Sequence, residues 1–152
     1  MNTTNPSDLV ALLRSRILKV RTGLWLMPLH YLGKEEDEAA RLGIDALDIR
    51  RPILADLPPG ARFIGLSVVS LVEILDGIAQ ARDGSDCVLV YNLDLALARL
   101  RRQERLEVWQ NLFGTFGYRA RALLLTMPAN ADHLLPTSES MMAWRNDRRL
   151  AT

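Results

Sequence analysis

The sequence predicts a three-layer α/β domain, a mostly parallel sheet with helices on both faces. Three uncharged apolar runs, Leu24–Met27, Cys87–Tyr91 and Ala122–Met127, read as strands buried on both sides. The stretches between them place apolar residues at helical spacing, the alternation that builds parallel sheets. The 152 residues, 49% of them hydrophobic, suffice for one such core, so a single domain spanning 1–152 is expected.

Each element follows from a local signal. Ser7 is the expected N-cap of a first helix, in which Leu9, Leu12, Leu13, Ile17 and Val20 recur at helical spacing. Arg14, Arg16, Lys19 and Arg21 fall mostly on its other face, and Gly23 is expected to end it. The strand Leu24–Met27 stops at Pro28. A second helix runs from Gly33 to Leu42, with Glu35, Glu36, Asp37 and Glu38 crowding the first turn, where the macrodipole favours acids. Gly43 closes it. Ala46–Ile49 reads as a second strand, before Pro52 and a Pro58-Pro59-Gly60 turn, and Arg62–Leu66 as a further extended piece. Ser67 or Ser70 caps a helix carrying Leu71, Leu75, Ile78 and Ala79. The turn Asp83–Asp86 leads into Cys87–Tyr91. One long helix is expected over Leu97–Phe116, with Gly117 after it, and the strand Ala122–Met127 ends at Pro128. Thr137 or Ser138 caps a last helix with Met141, Met142 and Trp144.

Composition excludes a disordered, collagen-like or disulfide-stapled chain. The lone Cys87 reads as a packed small hydrophobe, and His30 with His133 are too few for a zinc centre, so no metal site is expected. No apolar run approaches the roughly 18 residues of a membrane span, and Met1–Pro6 lacks a basic segment before an apolar core. A cytoplasmic protein without a membrane partner is expected. Charge is segregated: residues 34–94 hold six bases against twelve acids, and residues 95–152 hold nine arginines against five acids. Arg99, Arg101, Arg102 and Arg105, with Arg145, Arg148 and Arg149, are the candidate contact surface for a protein or for nucleic-acid phosphates.

The strongest chemical pattern is an incomplete one. A phosphate loop, G-x-x-x-x-G-K-[ST], uses glycines to bring backbone N–H groups to phosphate, a lysine for the outer oxygens and a hydroxyl for Mg²⁺. Here a strand-to-helix turn reads Pro28-Leu29-His30-Tyr31-Leu32-Gly33-Lys34-Glu35. Gly33 and Lys34 are in frame, but Pro28 replaces the first glycine and Glu35 the hydroxyl. Val88-Leu89-Val90 then runs into Tyr91-Asn92-Leu93-Asp94, like a strand that delivers an acid to Mg²⁺, with only Asp94 acidic. Leu123-Leu124-Leu125-Thr126 ends in a polar residue, with Thr126 or Asn130 placed to sense a terminal phosphate.

In order and spacing these features resemble a minimal P-loop NTPase of the AAA+ type with eroded Walker motifs. More narrowly, the chain looks like the small P-loop BrxF proteins of BREX-type phage-defence systems, over roughly Leu24 to Trp144. The resemblance implies nucleotide-binding positions at Gly33, Lys34, Asp94 and Thr126. The departures at Pro28 and Glu35 weigh against hydrolysis, so no catalytic residue and no cofactor are expected. The favoured expectation is a non-catalytic accessory subunit that binds a protein partner or a second copy of itself, in a phage-defence or other nucleic-acid-processing complex. Two alternatives are a weak ATPase or ATP-binding protein using Lys34 and Asp94 with Mg²⁺, and a small DNA-binding accessory protein.

Overall fold

In the computed structural model, which describes residues 4–55 and 65–152, helix α1 (Pro6–Arg14) leads into strand β1 (Thr22–Met27). A short 3₁₀ turn, Leu29–Tyr31, precedes α2 (Glu35–Leu42), β2 (Asp45–Asp48), α3 (Arg50–Ala55) and α4 (Val68–Gln80). Then come β3 (Cys87–Tyr91), α5 (Leu93–Leu97) and α6 (Arg102–Gln110), which runs on into a π-helical turn, Asn111–Thr115. The chain ends with β4 (Ala122–Pro128), a 3₁₀ turn at Asp132–Leu134, α7 (Ser138–Asn146) and β5 (Leu150–Ala151).

The five strands form one sheet in the order β2-β3-β4-β1-β5, and every pair is parallel. From β1 the chain crosses to the far edge at β2, with α2 on one face. It returns through β3 and β4 and passes β1 to reach β5, with α4, α5, α6 and α7 on the other face. Right-handed crossovers require that change of face when the direction of travel reverses. Leu9, Leu13, Trp25 and Leu89 fill the smaller layer, and Leu71, Leu75, Val90, Trp109 and Trp144 belong to the larger one. The expected three-layer architecture is therefore present.

Several local expectations need correction. Asn5, not Ser7, caps α1: its side chain accepts from the Asp8 N–H at 2.8 Å. The helix stops at Arg14 because Arg21 folds back and donates from Nε to the Leu13 carbonyl at 3.1 Å, while Arg16 takes a left-handed conformation. Gly23 does not end a helix. It lies inside β1, where Leu9 and Leu13 press so closely that a Cβ would meet Leu9 Cδ1 at 3.0 Å. The helix expected over Leu97–Phe116 begins only at Arg102, because Arg101 is extended and its N–H donates to Glu104 Oε1 at 2.9 Å, and Leu97 instead ends the short α5, which the sequence pattern did not indicate. The sequence pattern also passed over α3 and the two-residue β5. Ser67 and Thr137 are the two caps, with Ser70 answering Ser67 in a capping box. The Pro58-Pro59-Gly60 turn and residues 62–64 lie outside the described residues, and Gly65 and Leu66 form no strand.

Candidate functional site

In a parallel sheet every strand delivers its following loop to the same edge, and ligands bind there beside the strand where the chain reverses direction. Here that strand is β1. The loops after β1, β3 and β4 converge on a pocket of about 150 Å³, lined by Gly33 and Glu35, Asn92 and Asp94, and Thr126 and Pro128. Three of the four expected nucleotide positions, Gly33, Asp94 and Thr126, thus share one small site. Lys34 is exposed and is not among the lining residues.

The turn between β1 and α2 is closed on itself. Tyr31 donates its N–H to the Pro28 carbonyl at 3.0 Å, Leu32 to Leu29 at 3.1 Å and Lys34 to Tyr31 at 2.9 Å. A phosphate loop instead points such groups at the ligand. Pro28 has no N–H to offer. Glu35 occupies the hydroxyl position and is, with Asp94, one of the two acidic residues that line the pocket. Thr126 is 3% exposed and its hydroxyl donates to the Val90 carbonyl at 2.9 Å, which ties it to the sheet. Small-molecule sites usually enclose about 300–1,000 Å³. At about 150 Å³ this pocket lies below that range, and two acidic residues, Glu35 and Asp94, line it. Asn130, the other candidate for sensing phosphate, is exposed in the turn after β4 and does not line the pocket.

Neighbouring polar groups form a second network that sequence reasoning did not assemble. Asp48 ends β2 opposite Tyr91, and its carboxylate takes the Arg50 backbone N–H at 3.0 Å and Arg50 Nη2 at 2.7 Å. Burial alone would raise its pKa, but the hydrogen bonds from Arg50 and Asn92 outweigh it and hold Asp48 below the usual value. The Tyr91 hydroxyl donates to Glu36 Oε1 at 3.0 Å; burial, then that bond and the nearby carboxylates, raise its pKa. The signal available in sequence was that two predicted strands both run into polar residues, Asp48 and Tyr91-Asn92. Cys87 is buried, and desolvation followed by the Asp86 charge pushes its thiol up to about 12, so it is no nucleophile at neutral pH. Among the described residues no group of three or more His, Cys, Asp or Glu side chains could hold a metal ion. None of the described helices is long and apolar enough to cross a membrane.

The expected arginine surface is not one surface. Arg101 and Arg102 are exposed at the start of α6, and Arg105 there donates from Nη1 to the Leu100 carbonyl at 2.6 Å. Arg99 is exposed just before them. Arg149 instead sits by the far end of that helix, its guanidinium against the Leu112 and Phe113 carbonyls. At 1.5 Å per residue that is about 15 Å away. Arg148 is exposed and Arg145 half-buried, but Arg149 is 3% exposed and belongs to the core rather than to any contact surface. Desolvation pulls its pKa down to about 10, partly offset by Asp147, so it keeps its charge at neutral pH.

A scan against protein-family models and searches of curated proteins and of solved structures found no match to this chain.

Proposed function

We propose that this protein is a P-loop-like accessory subunit that does not hydrolyse nucleotide and acts by binding a protein partner. The observation that carries this reading is the closed turn after β1. The chain has Gly33, Asp94 and Thr126 around the pocket at the reversal point of the sheet, yet the turn spends three of its N–H groups, those of Tyr31, Leu32 and Lys34, on its own carbonyls. A frame without the phosphate cradle serves as a rigid scaffold, and what its surface presents then decides its function. Arg101 and Arg102, exposed at the start of α6, are the groups proposed to meet the partner, because complementary charge steers encounter and sets register. A place in a phage-defence or other nucleic-acid-processing complex rests on the resemblance to the small BREX P-loop proteins.

Titration calorimetry with Mg-ATP and Mg-ADP tests the first half, with no binding expected up to about millimolar nucleotide, well above typical working affinities. A phage-challenge assay with Lys34→Ala and Asp94→Asn tests the second. Both variants are expected to retain protection. Loss of protection by either, with the fold intact, would replace this reading by a nucleotide sensor that uses Lys34 and Asp94.

A further inference from the structure

All five strands are parallel, so every loop that leads into a strand lies at the opposite edge of the sheet from the pocket. Those loops, residues 15–21, 43–44, 81–86, 117–121 and 147–149, hold eight bases against three acids. Four of the eight bases are already committed. Arg21 and Arg149 are buried on backbone carbonyls, Arg119 pairs with Asp76, and Arg121 pairs with Asp45 at 2.8 Å. The other four, Arg16, Lys19, Arg82 and Arg148, are exposed, and none has a carboxylate partner among the described residues. Arg82 has Asp83 beside it in sequence, whereas the acid beside Arg148, Asp147, pairs with Arg149 at 3.5 Å, which leaves Arg16, Lys19 and Arg148 as the set taken together.

Two further observations single out this set. Arg16 and Arg148 have φ of 64° and 60°, the left-handed region where glycine or asparagine is cheaper. They are two of the three such non-glycine residues among the described ones. The third observation is an aromatic ring. Tyr118, 51% exposed, receives Arg16 Nη1 on its hydroxyl at 2.8 Å, and the Arg21 guanidinium lies 5.4 Å from its ring centroid. The loops bearing Tyr118, Arg16 with Lys19, and Arg148 enter β4, β1 and β5, which are adjacent strands.

We infer that this edge binds single-stranded nucleic acid, with Arg16, Lys19 and Arg148 on the phosphates and the Tyr118 ring as a stacking platform for a base. Exposed cations on neighbouring loops of one sheet edge, with a half-exposed aromatic ring among those loops, are the combination that tracks a strand without reading its sequence. An acidic peptide would use the charges but not the ring. The inference does not rest on the P-loop reading, because it concerns the other edge of the sheet.

Fluorescence anisotropy tests it, with a labelled deoxythymidine strand of about 20 nucleotides, a duplex of similar length and a poly-glutamate peptide, each over a salt series. The strand is expected to bind most tightly, with affinity falling linearly in log salt. Replacing Arg16, Lys19 and Arg148 together by Ser is expected to weaken strand binding at least about tenfold at low salt and to flatten the salt slope by about 2. Tyr118→Ala should weaken strand binding by about fivefold or more while leaving the slope unchanged. If the triple variant does not fold, Lys19→Glu alone, in an exposed loop, must weaken binding by about threefold or more, as a reversed contact charge should. Replacing Arg101, Arg102 and Arg105 by Ser should leave strand affinity intact. The inference is overturned if the wild-type protein binds no strand at low salt, or if the edge variants bind as the wild type does. It is equally overturned if poly-glutamate binds as tightly as the strand, or if the α6 variant is the one that loses binding.

Discussion

Arg149 and Thr22, 127 residues apart in sequence, are joined twice: Arg149 donates from Nε to the Thr22 carbonyl at 2.8 Å and from Nη2 to its hydroxyl at 2.6 Å. The Thr22 hydroxyl in turn donates to the Leu112 carbonyl at 2.5 Å, and Arg149 Nη2 also reaches the Phe113 carbonyl at 3.0 Å. The guanidinium lies 4.6 Å from the ring centroids of both Phe113 and Trp144. One buried cation thus ties the start of β1 to the π-helical turn and to the last helix. That turn exposes the carbonyls the cation needs.

Two neighbouring arginines should therefore respond in opposite ways. Arg149→Met removes the donors and leaves buried carbonyls and a hydroxyl unpaired, which is expected to cost about 3 kcal/mol. Arg148→Gly relieves a left-handed residue at the price of unfolded-chain entropy, so stability should hold or rise by up to about 1 kcal/mol. Urea unfolding of the two variants checks both. A loss below about 1 kcal/mol in Arg149→Met would remove the tie as a determinant of the fold.

Gly23→Ala is expected to destabilise by about 1–3 kcal/mol, the usual range for overpacking. The added Cβ would lie 3.0 and 3.1 Å from the Leu9 methyl carbons and 3.2 Å from Leu13 Cδ1, and both leucines are fully buried. The double variant Gly23→Ala with Leu9→Val should not show additive losses, because shortening Leu9 makes room for the new methyl. Denaturant midpoints of the two single variants and the double variant give the comparison.

These two sites also explain what the sequence could and could not disclose. Cys87–Tyr91 was legible residue for residue, and Ala122–Met127 nearly so, because strands buried on both faces must be continuous apolar runs. Gly43 closing α2 was legible for a similar reason, since only a left-handed residue ends the helix there. Gly23 misled because the reason for it is a neighbour, the close approach of α1, and not a local turn. Arg149 misled because an arginine among arginines gives no sign of burial, which depends on Thr22 and the π-helical turn far away in sequence. At the site, Gly33, Asp94 and Thr126 were named from the resemblance, and they share a pocket because each follows or ends a strand of a parallel sheet. The closed turn and the Asp48–Arg50 pair depend on backbone and side-chain geometry that the pattern of residue types does not encode.

Asp48 should shape the acid limb of stability. Its folded pKa is depressed, so the unfolded chain binds the proton more readily through the low-pH window. Its contribution is present above the ordinary aspartate pKa and is lost as pH falls through the folded value. Asp48→Asn is therefore expected to flatten the decline of stability below about pH 4 and to lower the plateau at neutral pH. Thermal melts from acidic to neutral pH measure this. An acid limb unchanged in the variant would mean that other carboxylates set it.

The start of α6 offers a separation between stability and binding. Arg101 occupies the N-cap position, where its side chain has no oxygen to accept from the helix, while Glu104 three residues on accepts the Arg101 N–H at 2.9 Å. Half of a capping box is already in place. Arg101→Ser completes it, since a serine oxygen can accept the Glu104 N–H, and should stabilise the protein by about 0.5–1 kcal/mol. The ion pair given up, Arg101 Nε to Glu104 at 3.3 Å, involves an arginine side chain that is 89% exposed, and such pairs contribute little. If Arg101 meets an acidic partner or a second copy of this chain, the same substitution should weaken that association, and more strongly at low salt than at high salt. Urea unfolding and sedimentation in a salt series read the two effects independently. Greater stability with weaker association assigns Arg101 to the interface; greater stability with unchanged association makes it a solvated residue at a helix start and moves the partner surface elsewhere.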